Sequence, residues 1–564
     1  MANELYEKRR EQMFPKLSAA QLGRLGAVGQ RSRTSAGDVL VEPGQRHHPL
    51  YVVLSGSLDI GIPGMHGEEI VTVLLPGDFA GEMSTLRGIP GFVRIRVRAG
   101  GEVLAIGEDS LRELVQTDAE ISEIFMRAFI LRRMGLVASG ASEATLVGSR
   151  FSPATLRLRE FLTRNNYPYV NVDVDTDAGV QALLDRFHVG ADEVPVMIGR
   201  CGRVFRNPSI EQVADFLQMN PTRDDGKVHD VVVVGAGPAG LAAAVYAASE
   251  GLDVLVVEAN APGGQAGTSS RIENYLGFPT GISGMALAGR ALVQSQKFGA
   301  NVTVARHATR LRCETRPYTL EMSDGHAVQA STVVVATGAR YRDLALPNLS
   351  AFVGAGIFYA ATHMEAKLCE NEEVIVVGGG NSAGQAAVFL AGGCRHVHIM
   401  VRADGLAESM SRYLIRRIEE NPRITLHART QLTALRGEGR LSGVAWRNDR
   451  TGETHSQDIT SVFLMTGATP NTAWLEGCIA LDDKGFVRTG ADLRAEDLSA
   501  AGWLLPRAPH LLETSLPGVF AVGDVRSNSV KRVAAAVGEG SVCIQFVHRA
   551  LRELSVPSRQ MAAA

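Results

Sequence analysis

The chain has 564 residues, 57 Lys and Arg against 60 Asp and Glu, and a formal net charge of -3. That balance excludes the electrostatic footprint of a nucleic-acid or anionic-membrane binder, and at roughly 100 to 200 residues per domain the length calls for three to five units. No apolar run approaches the roughly 18 residues of a membrane span, and the charged start MANELYEKRREQMF lacks a signal-peptide core, so the expectation is a cytoplasmic protein acting on small molecules.

Between Thr34 and Ile106, short alternating runs (DVLVEPG, PLYVVLSGSLDIGI, EEIVTVLLPG, VRIRVRAGGEVLAI) are punctuated by Gly and Pro, the pattern of an all-β roll or barrel. Apolar residues at helical spacing from Ala119 to Val137 predict a closing helix. The small, polar ASGASEATLVGS, Ala138 to Ser149, reads as a linker. From Arg150 to Asn220 the order is helix, strand, helix, strand, helix, a small α/β unit. The hydrophilic PTRDDGKVH, Pro221 to His229, then leads into alternating strands and helices up to about residue 553.

The first chemical signal is DVVVVGAGPAGLAAAVYAASEGLDVLVVEA. A strand runs into Gly235, Gly237 and Gly240, spaced G-x-G-x-x-G, then an Ala-rich helix and a second strand ending at Glu258. Glycines permit the tight turn and close approach to a pyrophosphate, the helix N-terminus adds positive partial charge, and the acid accepts from a ribose 2′-hydroxyl. A second turn, EVIVVGGGNSAGQAAVFLAGGCRHVHIMVRAD, has Gly378, Gly380 and Ala383 in the glycine positions, with Asn381 and Ser382 opening the helix. Its second strand ends at Val401 and Arg402 rather than at an acid. An arginine there pairs with a 2′-phosphate that a carboxylate would repel, which favours NADPH over NADH. Arg412, Arg416 and Arg417 are either helpers or solvated surface. Two such turns in one chain imply a flavin and a nicotinamide brought together.

With these turns, GGQ (Gly263 to Gln265), IENYLGFP (Ile272 to Pro279), VVVATGA (Val333 to Ala339), FLMTGATPN (Phe463 to Asn471) and ETSLPGVFAVGDVR (Glu513 to Arg526) stand in the order found in low-molecular-weight thioredoxin reductases, which residues 229 to 551 closely resemble. The resemblance implies an FAD domain split into residues 229–347 and 465–553, an NADPH domain at 348–464 between them, and a homodimer. It places Glu258 on the FAD ribose, Gln265, Asn274, Thr337 and Gly338 near the cofactor, and Gly523 and Asp524 on its phosphate and ribityl region. Arg532, Val533 and Ala534 in SVKRVAAAVGEGS would start a helix whose dipole stabilises negative charge on reduced flavin.

The family carries Y-C-A-T-C just ahead of its NADPH turn. Here Tyr359 is followed by Ala360, Ala361, Thr362 and His363. Dithiol exchange needs a thiolate and a resolving thiol, which Ala and His do not supply. Six residues on, in MEAKLC, Cys369 is either a thiol that approaches the flavin or a buried small apolar residue; His363 is either a proton donor or a surface histidine. The other cysteines (Cys201, Cys313, Cys394, Cys478, Cys543) are scattered, with no C-x-x-C, so neither a metal site nor a disulfide framework is expected. The electron acceptor, a protein or small molecule, is left open. The alternative is a signalling protein with slow or no turnover.

The unit at 150–220 is similar to the thioredoxin and glutaredoxin fold, Pro195 of EVPVMI matching its cis-proline, but SRFSPAT stands where its active-site cysteines would be. Residues 1–138 resemble cyclic nucleotide-binding domains. In LPGDFAGEMSTLRGIPG, Gly81 and Glu82 fall at the position that holds the ribose 2′-hydroxyl, while the phosphate-neutralising arginine is replaced by Gly91, leaving Arg94 or Arg87 as substitutes. A ligand-binding and a purely structural domain are both compatible with these residues. No helix-turn-helix follows.

Overall fold

The computed structural model describes residues 10–554 except 65, 66, 87–89, 92, 140–143, 178, 191, 192, 200–202, 222–225, 270 and 343. Arg87 and Cys201 lie outside the described residues.

The N-terminal β pattern folds as expected into an antiparallel sheet in the order Gln30–Thr34, Arg94–Ile106, Leu50–Gly64, Gly67–Leu74. Alternation sends Leu50 and Val52 toward one core and Val53 toward another. The predicted helix, α1 (Ala119–Ser139), closes the first core with Ile121, Phe125 and Ala128, the Phe125 ring centroid 4.6 Å from that of Phe79.

The predicted linker contains a strand. β1 (Thr145–Gly148) lies inside a four-stranded sheet, between Val170–Asp173 and Val196–Ile198. Leu146 and Val147 are fully buried, and that burial outweighs the small, polar composition around them. Helix α2 (Pro153–Arg164) follows, opened by Ser152, whose hydroxyl accepts from the Thr155 N–H. The Val194–Pro195 peptide is cis.

Past residue 226, β2 (Val228–Val234) lies between the parallel strands Val254–Val257 and Ala327–Val335. Ala327–Val335 also pairs in parallel with Val519–Ala521, so distant parts of the chain complete one sheet. Helix α3 (Pro238–Ser249) packs on it between Ala-rich faces. This split unit also holds a disulfide, Cys313–Cys478, across a sequence separation of 165 residues. The scattered cysteines give no hint of this bond, because the fold juxtaposes the strand Ala308–Arg312 with the turn after Ala473–Leu475.

Inserted in the split unit is a second parallel sheet, in the order Ile357–Phe358, Val462–Leu464, β3 (Glu373–Val377), His396–Met400, Ile424–His427. The short helix α4 (His363–Leu368) precedes β3, and α5 (Asn381–Leu390) follows it. A three-stranded meander, Thr430 to Gln457, covers one face. The chain closes with α6 (Val533–Leu554), which starts inside the predicted segment. Its Gly540 lies so near α3 that a Cβ would sit 2.2 Å from the Ala239 carbonyl oxygen.

Candidate functional site

β2 delivers Gly235 at φ +105°, where a Cβ would also stand 2.4 Å from the Ala336 carbonyl oxygen, so only glycine fits. Gly237 is the N-cap of α3 without a side-chain cap, which leaves the first N–H groups open to a pyrophosphate. Glu258 is held on both oxygens, by the Ala236 N–H (2.7 Å) and the Asn260 N–H (2.9 Å). Burial pushes its pKa up and the two donors oppose that shift.

Thr337, Gly264 and Gly523 lie close to this turn or to α3. A Cβ on Gly235 would lie 3.1 Å from the Cα of Thr337, and one on Gly264, next to Gln265, 3.1 Å from the Cα of Gly237. Asn471 holds the Thr337–Gly338 turn, donating from Nδ2 to the Thr337 carbonyl (2.9 Å) and from its N–H to the Gly338 carbonyl (3.1 Å). Gly523 donates to Glu539 (2.7 Å), and Lys531 Nζ donates to the Asp524 carbonyl (2.9 Å). Burial raises the Asp524 pKa. Arg532 and Ala534 are exposed, Val533 is half-buried, and all three stand at the start of α6; Gln265 and Asn274 are exposed. These residues fit an FAD: an uncapped helix, a positioned ribose acceptor and a second helix N-terminus at the same end of one sheet.

The second turn repeats the logic. Gly380 is the uncapped N-cap of α5, with Asn381, Ser382 and Ala383 in its first turn. Gly378, at φ +144°, has the Met465 carbonyl where a Cβ would go. Asn381 Oδ1 accepts from the N–H (2.7 Å) and hydroxyl (2.9 Å) of Ser411. Arg402 is exposed beyond the strand His396–Met400, as a 2′-phosphate partner must be, and Arg412 and Arg416 are exposed on the helix Arg412–Glu419. Arg417 is committed elsewhere, to Glu273 of the split unit at 2.6 Å.

Tyr341 is absent from the sequence reading. Burial raises the pKa of its phenol, an effect that the Ser382 side chain of the second turn opposes and the Asp524 charge of the first adds to.

The segment after Tyr359 leads into α4, which starts at His363. Thr362 N–H donates to Glu365 (2.8 Å), and burial raises the Glu365 pKa. His363 is exposed and stands edge-on to Phe389 of α5, centroids 5.1 Å apart. Cys369 is fully buried in the inserted unit's core, 3.6 Å from Cys394 Sγ. Its hydrogen bond to Cys394, then burial, pushes the thiol far up, the opposite of what a nucleophile facing the flavin requires. Cys394 went unremarked because 25 residues separate it from Cys369; its place after the helix of the same strand-helix-strand unit was the available signal.

In the N-terminal domain, Glu82 is buried and paired with Arg132 of α1 at 2.9 Å. Arg132 also donates to the Met13 and Phe79 carbonyls and lies over the Phe14 and Phe79 rings. Gly81 caps the short helix Glu82–Thr85 at φ +105°. Arg94 is bonded to Glu42 (2.9 Å) and Glu68 (3.3 Å), so an incoming phosphate would compete with two carboxylates. Among the described residues no group of three or more His, Cys, Asp or Glu is arranged to hold a metal, and no helix is long and apolar enough to cross a membrane.

Two dinucleotide turns on two sheets of one chain define a pyridine nucleotide-linked flavoprotein. Residues 229–540 match the family model "Pyridine nucleotide-disulphide oxidoreductase", and the chain belongs to that family. Residues 31–118 match the model of the cyclic nucleotide-binding domain. The thioredoxin reductase of Mycolicibacterium smegmatis is 32% identical over 58% of this chain and 97% of its own length. NADPH-dependent thioredoxin reductase 3 of Arabidopsis thaliana is 34% identical over 57% of this chain and 58% of its own. The Lactococcus lactis thioredoxin reductase structure, in its FR conformation, matches at 26% identity and a TM-score of 0.52, covering 58% of this chain and 99% of the other. The C-terminal part is thus a thioredoxin reductase-like oxidoreductase.

Proposed function

We propose that the protein takes electrons from NADPH onto a bound FAD and passes them to an acceptor without an internal dithiol at the reductase family's usual place. The observation that carries this is the pair of uncapped glycine turns, Gly237 ahead of α3 and Gly380 ahead of α5, set against Ala360 and His363 where the reductase family has cysteines. Bound FAD supplies a two-electron carrier between nicotinamide and acceptor.

The protein's own groups bind and orient. Gly235, Gly237 and the first N–H groups of α3 hold the FAD pyrophosphate, with Glu258 on its ribose and the start of α6, including Arg532, supplying positive charge toward the flavin. Gly378, Gly380 and the first turn of α5 hold the nicotinamide dinucleotide, Arg402 selecting the 2′-phosphate. His363, exposed at the start of α4, is the polar side chain of that segment placed to meet an acceptor. The domain at 1–138 offers Gly81 and Glu82 to a cyclic nucleotide, with Arg94 reaching its phosphate only by leaving Glu42 and Glu68. The unit at 150–220 is a thioredoxin-like fold used for docking, and the protein works as a cytoplasmic homodimer.

The test is anaerobic addition of NADPH to FAD-loaded protein, followed by the flavin spectrum, then thioredoxin disulfide, ferredoxin, quinone and oxygen in turn. Rapid bleaching and turnover with a non-disulfide acceptor is expected. A flavin that stays reduced with every acceptor would make the protein a redox sensor instead. Efficient thioredoxin reduction that survives Cys369→Ser would overturn the claim that no internal thiol relay operates without Cys369.

A further inference from the structure

We propose that Cys369 and Cys394 are a redox-active dithiol, closed to an intramolecular disulfide by a small hydroperoxide. Their sulfurs are 3.6 Å apart, and a disulfide needs about 2.05 Å. The backbones that carry them are already held side by side: the Asn371 N–H donates to the Gly393 carbonyl (3.0 Å) and the Arg395 N–H to the Glu372 carbonyl (2.8 Å). Closure therefore asks for side-chain rotation, not domain movement. Both thiols are buried, at 0% and 1% exposure, yet each adjoins exposed turn residues, Glu370 and Asn371 on one side and Gly392 and Gly393 on the other. A peroxide can reach them by a local opening of these turns, while a bulky disulfide is kept out.

The two sulfurs are not equivalent. Cys369 Sγ lies 3.3 Å from the Glu365 carbonyl, to which its one S–H can donate, and 3.6 Å from Cys394 Sγ; the contact with Cys369 lowers the pKa of the Cys394 thiol, against the opposing effect of burial. Cys394 is the attacking group. Its thiolate forms an S–O bond as the O–O bond of ROOH breaks, and the departing alkoxide takes up a proton and leaves as ROH. Cys369 then attacks the Cys394 sulfur; the S–S bond forms, the S–O bond breaks, and the hydroxide leaves as water with the Cys369 proton. Two thiols and ROOH become one disulfide, ROH and water, the two electrons passing from sulfur to peroxide. The bond would tie the turn after α4, which begins at His363, to the turn after α5, which begins at the second phosphate cradle. The inference does not depend on the flavin reaction proposed above.

The experiment uses the full chain, reduced with dithiothreitol, desalted and treated with stoichiometric hydrogen peroxide, then alkylated, digested and analysed by mass spectrometry. The expected result is loss of two alkylatable thiols and a Cys369–Cys394 cross-linked peptide, lighter by two hydrogens than the pair of reduced peptides and restored by dithiothreitol. In Cys369→Ala, which keeps the apolar site filled, Cys394 should accumulate as a dimedone-trapped sulfenic acid. In Cys394→Ala, oxidation at Cys369 should slow by about tenfold or more, because the more acidic thiol is gone. Oxidation confined to Cys201, with no cross-linked peptide in the folded wild type, would overturn the proposal. So would a glutathione adduct at Cys394 after treatment with glutathione disulfide, since it would reveal an open single thiol rather than an enclosed pair.

Discussion

Arg417 of the inserted unit and Glu273 of the split unit form an ion pair at 2.6 Å, between the helix Arg412–Glu419 and the loop that carries Asn274. Arg417 is half exposed and Glu273 one-fifth exposed. The pair spans the two units whose cofactor turns must meet, and so bears on their relative placement more than on stability. An exposed pair contributes about 0.2–1 kcal/mol, so Arg417→Ala should shift the melting temperature only slightly. Hydrogen exchange in residues 271–278 should nevertheless rise. Unchanged exchange there would show that the pair does not hold the units together.

Arg402 is expected to govern the choice of nicotinamide. Its guanidinium is exposed past the strand that ends at Met400, without an acidic partner among the described ion pairs. Arg402→Ala should raise the KM for NADPH by about tenfold and leave that for NADH nearly unchanged. Equal effects on both would move the 2′-phosphate contact to Arg412 or Arg416.

A pH dependence follows from the histidines of the inserted sheet. His398 Nδ1 lies 3.0 Å from His427 Nε2, with His396 and Trp446 beside them. Burial, then the charges of His398, His455 and His396, lower the His427 pKa to about 4. A histidine whose folded pKa lies below its unfolded value binds fewer protons when folded. Stability is therefore lost as pH falls from about 6.5 toward 4. Urea unfolding at pH 7 and pH 5 should show the loss in wild type and a smaller one in His427→Gln. An identical slope in the variant would assign the effect to other groups.

Glu82 and Arg132 make a pair with side-chain exposures of only 2% and 10%. Removing one partner leaves the other charge buried, so Glu82→Ala should cost about 3 kcal/mol or more in the N-terminal domain. Calorimetry should show a lowered transition for that domain, while transitions of the rest stay in place. A neutral substitution would mean that Arg132 is sufficiently held by the Met13 and Phe79 carbonyls and the two rings beneath it.

The contrast between the two phosphate turns and the two buried thiols shows what a linear reading can reach. Gly235, Gly237, Gly240 and Glu258 act over one strand-turn-helix-strand, so spacing alone carries their geometry. The same holds for Gly378, Gly380 and Ala383, and the β roll and α1 were equally legible because period-2 and helical patterns are local. β1 was read as a linker, since a four-residue strand has no period to detect and owes its state to the strands on either side. Arg94 looked available as a phosphate ligand until Glu42 and Glu68, distant in sequence, were found bonded to it.

The sequence by itself determined that two dinucleotide turns are present and that Ala360, Ala361, Thr362 and His363 follow Tyr359, because each is a matter of residue type at short spacing. Only the tertiary structure decided which distant side chains meet. Cys313 bonds to Cys478, Arg417 pairs with Glu273, and Cys369 faces Cys394 because the sheets and helices between them bring distant side chains within a few ångströms. Hydrogen bonds and sulfur contacts act only at that range, and folding rather than spacing along the chain sets it.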